Sequence, residues 1–215
     1  QFPRARILRL DSDAPMVSPE ELQGADIIIG TRLLVGRFRE LFERVRPVGI
    51  VGIPFAELAM SHGSFRAAEY AYQWFTAVLN IGLRFRARIL IQTRNPENPI
   101  VQSAVRGNYD FYREELENRR TFGYPPFTRL TLATYRAQME SATVQEAERT
   151  AQTLRETFKK RPGIEVAGPF TPMPGKRAGM HLRSILVKGT AGAPPPHDLR
   201  ALGADWTIDV DPETV

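Results

Sequence analysis

The chain has 215 residues, of which 42% are hydrophobic and 25% charged, a composition that excludes a disordered, collagenous or low-complexity polypeptide. It has no cysteine and no apolar run of the roughly 18 residues that cross a bilayer, which excludes thiolate zinc sites and membrane spans and favours a cytosolic setting. Its formal net charge of +5 permits a polyanionic partner, although 25 arginines against 4 lysines are as typical of a GC-rich genome.

The first part of the chain alternates short apolar runs with helical patterns. We predict four strands here, at residues 6–10, 26–29, 48–53 and 87–92. Between them, Ser18-Pro19-Glu20-Glu21 has the composition of a capping box and predicts a short helix that ends at Gly24. Apolar residues at helical spacing predict two more helices, one over 34–45 and a longer one from Ser64, with Phe65 on its buried stripe. This alternation predicts crossover connections and a mostly parallel sheet covered on both faces.

The pattern changes after Asn95-Pro96-Glu97-Asn98-Pro99, a stretch rich in turn-forming residues. Two helices are predicted next, at 100–106 and 109–122, and we place a domain boundary near residue 105. The remaining predicted elements are a strand around Leu130 and Leu132, a helix from a capping box at Thr143 to Lys160, strands at 165–167 and 184–188, a short helix at 197–202 and a strand at 206–210. This is the strand-helix-strand-strand-helix-strand order of a ferredoxin-like α+β domain.

The sequence contains no convincing catalytic constellation. The segment nearest to a phosphate-binding loop is Gly168–Arg177, but its prolines remove backbone donors and Arg177 stands where that motif has a hydroxyl. The three histidines match no metal-ligand spacing, and the aspartate pairs at strand ends are more typical of turns. We therefore assign no catalytic residue and no metal-binding residue.

One group of candidate DNA-binding residues is Arg84, Arg86 and Arg88, in a stretch without acidic residues. Their alternate spacing predicts that they share one face of an extended segment. Side chains arranged in this way either follow a phosphodiester backbone or form a solvated edge, and the sequence does not decide between the two.

A second group of candidates is Lys176, Arg177 and Arg183, in a stretch rich in proline and glycine. A basic loop suits contact with nucleic-acid phosphates or with an acidic peptide and carries no base-reading information by itself; plain solubility is the other interpretation. Tyr124 and Phe127, which frame two prolines, are candidates for stacking on a base, although a role in stiffening the junction is favoured.

Six short segments together resemble a known family. They are Ile27-Ile28-Ile29-Gly30-Thr31, Phe65-Arg66-Ala67-Ala68-Glu69, Ile89-Leu90-Ile91-Gln92-Thr93 with Asn95-Pro96, Phe111-Tyr112-Arg113-Glu114-Glu115-Leu116-Glu117 with Arg119-Arg120, Gly123-Tyr124-Pro125-Pro126-Phe127, and Ile208-Asp209-Val210-Asp211-Pro212. In this order they resemble the C-terminal part of the PriA family of bacterial replication-restart helicases. The resemblance implies that residues 1–105 are most of the second RecA-like helicase lobe, with a parallel-sheet α/β fold, and that residues 106–215 are the family's C-terminal domain.

The helicase motifs of this family are degenerate in the chain. In the family, the Gly-Thr pair leads into a lysine-glycine-histidine loop that couples ATP to DNA. Here Gly30-Thr31 runs into Leu33-Leu34-Val35-Gly36-Arg37, which has neither that lysine nor that histidine. In the arginine-finger motif, Ala77 replaces the glutamine and Ile81 the first arginine, so that only Arg84 remains. An arginine finger accelerates phosphoryl transfer by about 10³ to 10⁵, and isoleucine has no charge with which to do so. The resemblance therefore implies a pseudo-helicase that does not hydrolyse ATP efficiently.

The resemblance also implies cofactors and partners. No cofactor is expected in this chain, since the family binds ATP with Mg²⁺, and zinc, through segments upstream of the part that it resembles. The expected partners are branched or single-stranded DNA, the single-stranded-DNA-binding protein and the loader of the replicative helicase, at a cytoplasmic, nucleoid-associated location and with no membrane. Two alternatives stay open: an active ATP-dependent 3′ to 5′ helicase, and a protein-interaction platform with little DNA contact.

Overall fold

The computed structural model describes residues 3–11, 13, 17–37, 48–61 and 63–214, which form a mixed α/β structure with two units. One unit contains the described residues as far as Ser61 together with Ala67–Tyr112, and the other contains Gly63–Arg66 and residues 113–214. The division after Tyr112 differs from the boundary expected near residue 105, because Phe111 is buried in the core of the first unit.

The first unit is built from short parallel strand pairs and helices. Its strands are β1 (Ile7–Leu10), β2 (Ile27–Gly30), β3 (Ile50–Ile53) and β4 (Arg88–Ile91). Its helices are α1 (Pro19–Gly24), α2 (Arg32–Gly36), α3 (Glu57–Met60), α4 (Ala67–Phe85) and α5 (Pro99–Arg106). β1 pairs in parallel with β2 and β3 pairs in parallel with β4, as predicted. Among the described residues the two pairs form separate two-stranded sheets rather than one.

Only one face of the β3–β4 pair is covered among the described residues. Val51 and Ile91 pack against the core around α4, whereas Ile50 and Leu90 on the other face are 60% and 53% exposed. The expectation of a sheet covered on both faces is therefore wrong for this pair in the described part of the chain, because its core lies on one side only.

The start of α1 confirms the predicted capping box. The N–H of Glu21 donates to Ser18 Oγ at 3.2 Å, and the N–H of Ser18 donates to Glu21 Oε2 at 2.9 Å. The two side chains thus satisfy two backbone donors that a helix end leaves unpaired. Of the helix predicted over 34–45, the structure describes α2, and residues 38–47 lie outside the described residues.

Helix α4 supplies the centre of the first core. Its buried side chains are those of Ala71, Tyr72, Phe75 and Val78. The helix begins at Ala67 rather than at the predicted Ser64, because the Ser64 hydroxyl accepts a hydrogen bond from the N–H of Arg66 at 3.1 Å and this segment belongs to the other unit. The apolar stripe therefore starts later than its spacing predicts.

The remaining elements build an antiparallel sheet with one long helix. They are α6 (Phe111–Thr121), β5 (Thr128–Ala137), α7 (Glu140–Phe158), β6 (Glu165–Phe170), β7 (Lys176–Arg177), β8 (Met180–Thr190), a 3₁₀ helix (His197–Ala201) and β9 (Trp206–Val210). The strand order in the sheet is β6-β8-β5-β9, all antiparallel, and β7 pairs with the start of β8. From β5 to β9 the elements follow the predicted order, with β7 as an addition and a 3₁₀ helix as the second helix.

Helix α7 covers one face of this sheet. Its Leu154 and Phe158 pack with Ile185 and Val187 of β8 in the core of the second unit. Each of these side chains is at most 4% exposed. Among the described residues, neither α7 nor another helix is long and apolar enough to span a membrane.

The start of α7 differs from the capping box predicted at Thr143. The helix begins at Glu140, with Met139 at the cap position and no side-chain cap. The Thr143 hydroxyl donates to the Met139 carbonyl oxygen at 2.8 Å, and Glu146 accepts a hydrogen bond from Arg149 at 2.6 Å. Both predicted capping side chains therefore bond inside the helix, and that prediction is wrong.

Candidate nucleic-acid interface

The structure places Arg84, Arg86 and Arg88 where α4 ends and β4 begins, in three different backbone conformations. Arg84 lies in the last turn of α4, Arg86 has a left-handed backbone with φ of 52°, and Arg88 is the first residue of β4. The expectation that they share one face of an extended segment is therefore wrong. All three side chains are exposed, and we call them the junction arginines.

The junction arginines do not share one face because of the way in which α4 ends. The N–H of Ala87 donates to the Gly82 carbonyl oxygen at 2.9 Å. The N–H of Arg86 donates to the Leu83 carbonyl oxygen at 3.1 Å. These two bonds form a Schellman motif, which requires a left-handed residue after the cap. A Cβ atom on Gly82 would lie 2.4 Å from Ile89 Cγ1, so this glycine lets α4 approach β4 closely enough to form the reversal.

The junction arginines have no ionic partner in the part of the chain that the structure describes. Within the described residues no carboxylate forms an ion pair with Arg84, Arg86 or Arg88. Three exposed guanidinium groups within five residues of sequence produce a positive local potential that attracts an anionic partner.

Lys176 and Arg177 form an ordered hairpin rather than the predicted loop. The turn residues Ala178 and Gly179 have φ values of 48° and 81°. Two consecutive left-handed residues are typical of the two-residue type I′ turn, whose twist matches that of the flanking strands. Both basic side chains are exposed, and in the described part of the chain neither forms an ion pair. We call residues 176–180 the basic hairpin.

The strand register determines which cations share a face of the sheet. Lys176 lies directly opposite His181, and Arg177 lies opposite Met180. Directly opposite residues share a face, as do alternate residues along one strand. Lys176, His181 and Arg183 therefore lie on one face, and Arg177 lies on the other.

Arg183 is bound by two partners from neighbouring segments. Its Nη2 lies 3.5 Å from Oε1 of Glu140, at the start of α7, and its Nη1 donates to the Thr171 hydroxyl. The other oxygen of the same carboxylate, Oε2, lies 3.9 Å from His181 Nδ1. The side chain of Arg183 is 20% exposed and that of Glu140 is 61% exposed. Of the three cations predicted here, Arg183 is thus partly neutralised by the protein.

Tyr124 and Phe127 make contacts with rings and cations inside the second unit. Tyr124 stacks on Phe65, with 5.2 Å between the ring centroids and 7° between the ring planes. Lys188 Nζ lies 5.2 Å from the Tyr124 centroid, and Arg120 Cζ lies 4.7 Å from the Phe127 centroid. A nucleic-acid base would have to compete with these contacts, which favours the junction-stiffening interpretation of both residues.

Phe65 lies in a place that its spacing does not predict. It precedes α4 and stacks on Tyr124 in the second unit, instead of lying on the buried stripe of the helix. In the same segment, the Ser64 hydroxyl donates to the Glu213 carbonyl oxygen at 3.0 Å. We call residues 63–66 the strap. No local signal identifies it, because its partners lie far away in sequence.

One carboxylate at the carboxyl end of β4 is held by hydrogen bonds. Glu57 Oε1 accepts the N–H of Arg94 at 2.6 Å and the hydroxyl of Thr93 at 2.9 Å. These bonds, with that from Arg94 as the largest contribution, hold the pKa of Glu57 below its usual value. The ionised Glu57 thereby ties α3 to the segment after β4.

Ile81 and Thr31 come from the two segments that resemble helicase motifs. Ile81 is half-buried in α4 and has no charge. The Thr31 hydroxyl accepts the N–H of Leu33 at 3.4 Å, as the cap of α2. The described residues contain no group of three or more His, Cys, Asp or Glu side chains placed to hold a metal ion. Binding of a polyanion by the exposed cations is the chemistry that this arrangement supports.

Comparison with known proteins agrees with the resemblance seen in the sequence. Residues 120–213 match the model of the family described as Primosomal protein N C-terminal domain. The replication restart protein PriA of Treponema pallidum is 30% identical over 197 residues, which cover 87% of this chain and 29% of that protein. PriA of Borreliella burgdorferi is 29% identical over 177 residues, covering 78% of this chain and 26% of that protein. PriA of Thermotoga maritima is 28% identical over 229 aligned positions, covering 100% of this chain and 29% of that protein.

The chain thus spans between 26% and 29% of the length of these three curated relatives. The matches extend over both units, whereas the family model covers residues of the second unit and the end of α6. On these matches, the chain belongs to the PriA family and corresponds to the C-terminal portion of its members.

Proposed function

We propose that this chain is part of a replication-restart, primosome-assembly protein that binds forked or single-stranded DNA through phosphate contacts and does not hydrolyse ATP efficiently. The name of its relatives, replication restart protein PriA, supports the replication role. In this proposal the first unit is part of a RecA-like helicase lobe and the second unit is a ferredoxin-like C-terminal domain. The parallel strand pairs of one and the β6-β8-β5-β9 sheet of the other support these assignments.

The observation that carries the DNA-binding proposal is the exposure of cations without an internal partner. Lys176 and Arg177 are exposed on an ordered hairpin, where they form no ion pair with the described residues. Phosphate contacts of this kind position a protein on DNA without reading its sequence, which suits recognition of a branched structure. The junction arginines are the second group of proposed phosphate contacts.

The binding test is a salt titration with the 215-residue chain. Its affinity for a labelled forked duplex and for a labelled single strand is measured by fluorescence anisotropy at several salt concentrations. Replacement of Lys176 and Arg177 by alanine should weaken binding to both DNAs and flatten the log–log salt slope by about 0.9 for each lost duplex contact. A matched control, Lys159→Ala with Lys160→Ala, removes the same charge from exposed residues just after α7.

If the variant without Lys176 and Arg177, the hairpin variant, keeps the salt slope of the unchanged chain, these two residues do not contact DNA. An equal loss of DNA affinity in the hairpin variant and in the lysine control would instead indicate that DNA is attracted to the net charge of the chain and not to a particular site. Binding weaker than that of a typical non-specific DNA-binding protein favours the alternative of a protein-interaction platform with little DNA contact.

The pseudo-helicase part of the proposal rests on Ile81. Its half-buried aliphatic side chain supports the loss of the cation that the family places in this motif. The alternative of an active ATP-dependent 3′ to 5′ helicase rests on Arg84, which is exposed three residues further along α4. The full-length protein should show ATP hydrolysis with forked DNA no faster than background. Turnover above background that is abolished by Arg84→Ala overturns this part of the proposal.

The proposed partners follow from the family in the same way. They are the single-stranded-DNA-binding protein and the loader of the replicative helicase, at a cytoplasmic, nucleoid-associated location. Pull-down of each purified partner by the full-length protein, with and without forked DNA, tests them separately.

A further inference from the structure

We propose that the Glu140 carboxylate is a built-in competitor of nucleic-acid phosphate: it binds Arg183 in the free protein and yields Arg183 when a phosphodiester binds beside the basic hairpin. This inference rests on the proposed DNA-binding function. It goes further, because it assigns a regulatory role to an acidic residue that neither charge nor local sequence marks as part of an interface.

The geometry of the carboxylate is that of an anion bound in a basic site. Oε1 of Glu140 lies 3.5 Å from Nη2 of Arg183, and Oε2 lies 3.9 Å from Nδ1 of His181. Both partners project from the same face of β8, and Lys176 lies on that face opposite His181. The two carboxylate oxygens therefore face a row of nitrogen groups that would equally suit two oxygens of a phosphate.

The site is already organised without Glu140. The Thr171 hydroxyl accepts a hydrogen bond from Nη1 of Arg183, and the side chain of Arg183 is 20% exposed. A second partner and partial burial restrict the guanidinium, so that it keeps its position when the carboxylate leaves. A pre-positioned cation loses less conformational entropy on binding a phosphate than a free one.

The carboxylate is held weakly enough to leave. Glu140 is 61% exposed, and the structure shows no other side chain bound to it among the described residues beyond Arg183 and His181. Ion pairs at such exposure contribute little to stability, because water and salt screen them. A phosphate that brings its own hydrogen bonds to Arg183 can therefore replace the carboxylate, which then turns into solvent.

Nucleic acid is the partner to which this inference commits, because the inference rests on the proposed DNA-binding function. Phosphates repeat along a nucleic-acid strand, so that one polymer can reach the exposed Lys176 and the half-buried Arg183 together on one face. The test measures binding of the same forked duplex and single strand by the 215-residue chain, with a polyglutamate peptide as the competing class of polyanion.

The decisive variant is Glu140→Gln, which keeps the size of the side chain and removes its charge. It should tighten binding up to roughly fivefold at low salt and steepen the salt slope by up to about 0.9, because one more cation becomes available to phosphate. The matched control is Glu156→Gln, which changes the net charge equally at the other end of α7, about 24 Å along the helix axis. In the double variant Glu140→Gln with Arg183→Ala, the gain should disappear.

The outcomes separate this inference from the proposed function. Equal affinity and slope for the unchanged chain and Glu140→Gln overturn the inference, while weaker binding by the Lys176 and Arg177 variant leaves the DNA-binding function intact. An equal gain in Glu156→Gln also overturns it, because the effect is then one of net charge. If polyglutamate binds through Arg183 and forked DNA does not, the site belongs to an acidic protein partner. Thermal unfolding of every variant shows whether the fold is kept.

Discussion

The two basic regions of the molecule differ in how their cations are held. The junction arginines of the first unit depend on the backbone: a Schellman motif at Arg86 and the close approach of Gly82 to Ile89 determine their positions. Near the basic hairpin of the second unit, side chains hold the cation Arg183 in position, since Thr171 and Glu140 both bind it. Within the described residues, one region thus presents cations without an ionic partner on a turn closed by backbone hydrogen bonds, and the other contains a cation that is already paired with a carboxylate.

This difference teaches that an exposed arginine and an available arginine are not the same. A cation without a partner is free to bind phosphate but contributes nothing to the fold, whereas a paired cation contributes to the fold and must exchange its partner to bind. The following substitutions test that distinction, from the largest expected effect to the smallest.

Gly82→Ala should lower the free energy of unfolding by about 1 to 2 kcal/mol. The new Cβ would lie 2.4 Å from Ile89 Cγ1, and the cost of moving Ile89 exceeds the gain in helix propensity. Urea unfolding of the variant and of the unchanged chain measures this loss of stability. Gly36→Ala is the control, because no atom of the described residues outside its chain neighbours and its own helix backbone lies within 4 Å of the Cβ position there. Equal stability of both variants would mean that the α4–β4 contact does not depend on this glycine.

Replacing all three junction arginines by alanine should flatten the salt slope of DNA binding by about 2.7, or 0.9 for each contact. The same measurement on the Lys176 and Arg177 double variant should give about 1.8. An unchanged slope in one of the two variants removes that region from the interface and leaves the other as the binding site.

Arg183→Ala should cost about 1 kcal/mol of folding stability, since it removes a hydrogen bond to Thr171 and an ion pair with Glu140. Arg88→Ala should change the stability by less than about 0.5 kcal/mol, because its side chain is exposed and has no ionic partner in the described residues. Chemical unfolding of the two variants side by side compares a paired with an unpaired arginine. Equal losses would contradict the distinction.

Arg86→Gly should raise the free energy of unfolding by about 0.5 to 1 kcal/mol. The φ of 52° is costly for a residue with a Cβ atom and is freely adopted by glycine. Arg86→Ala keeps the strain while removing the same charge, so that it separates the backbone effect from the loss of the cation. A stability gain in both variants would show that charge repulsion, rather than φ, is relieved.

Glu57→Gln should destabilise the first unit at neutral pH and progressively less in acid. Hydrogen bonds from Arg94 and Thr93 lower the pKa of Glu57 from its usual 4.5. The contribution of the ionised Glu57 to the free energy of unfolding is therefore complete above pH 4.5 and is lost as the pH falls through the lowered pKa. The effect is the smallest of the set, because the carboxylate is accessible to solvent. Unfolding midpoints of both proteins between pH 7 and pH 3 should converge in acid.

Local signals in the sequence predict the elements whose stabilising contacts lie close by. The capping box at Ser18 needs only the three residues after it, and the structure contains both of its hydrogen bonds. The elements from β5 to β9 follow the predicted order because each strand has an apolar pattern and each connection contains turn-forming residues. Thr143 shows the limit of such signals, since its hydroxyl bonds back to Met139 within a helix that has already begun.

Contacts between distant segments are not visible in the sequence. Glu140 and Arg183 are 43 residues apart, and nothing near either residue indicates that they meet. The even spacing of the junction arginines predicts a strand, but packing of Gly82 on Ile89 extends the helix through Phe85 and turns the chain at Arg86. The residue types at the candidate site were therefore predictable, and their arrangement was not.

The strap makes the second unit discontinuous in sequence. A fragment that starts at residue 113 would lack Phe65, leaving one face of Tyr124 bare, and would leave the Glu213 carbonyl oxygen without the Ser64 hydroxyl. Deletion experiments that divide the protein at a single point will therefore confuse loss of a stacking partner with loss of a function. A fusion in which a linker joins residues 63–66 to residue 113, in place of residues 67–112, keeps Phe65 and Ser64 in the same polypeptide as Tyr124 and Glu213.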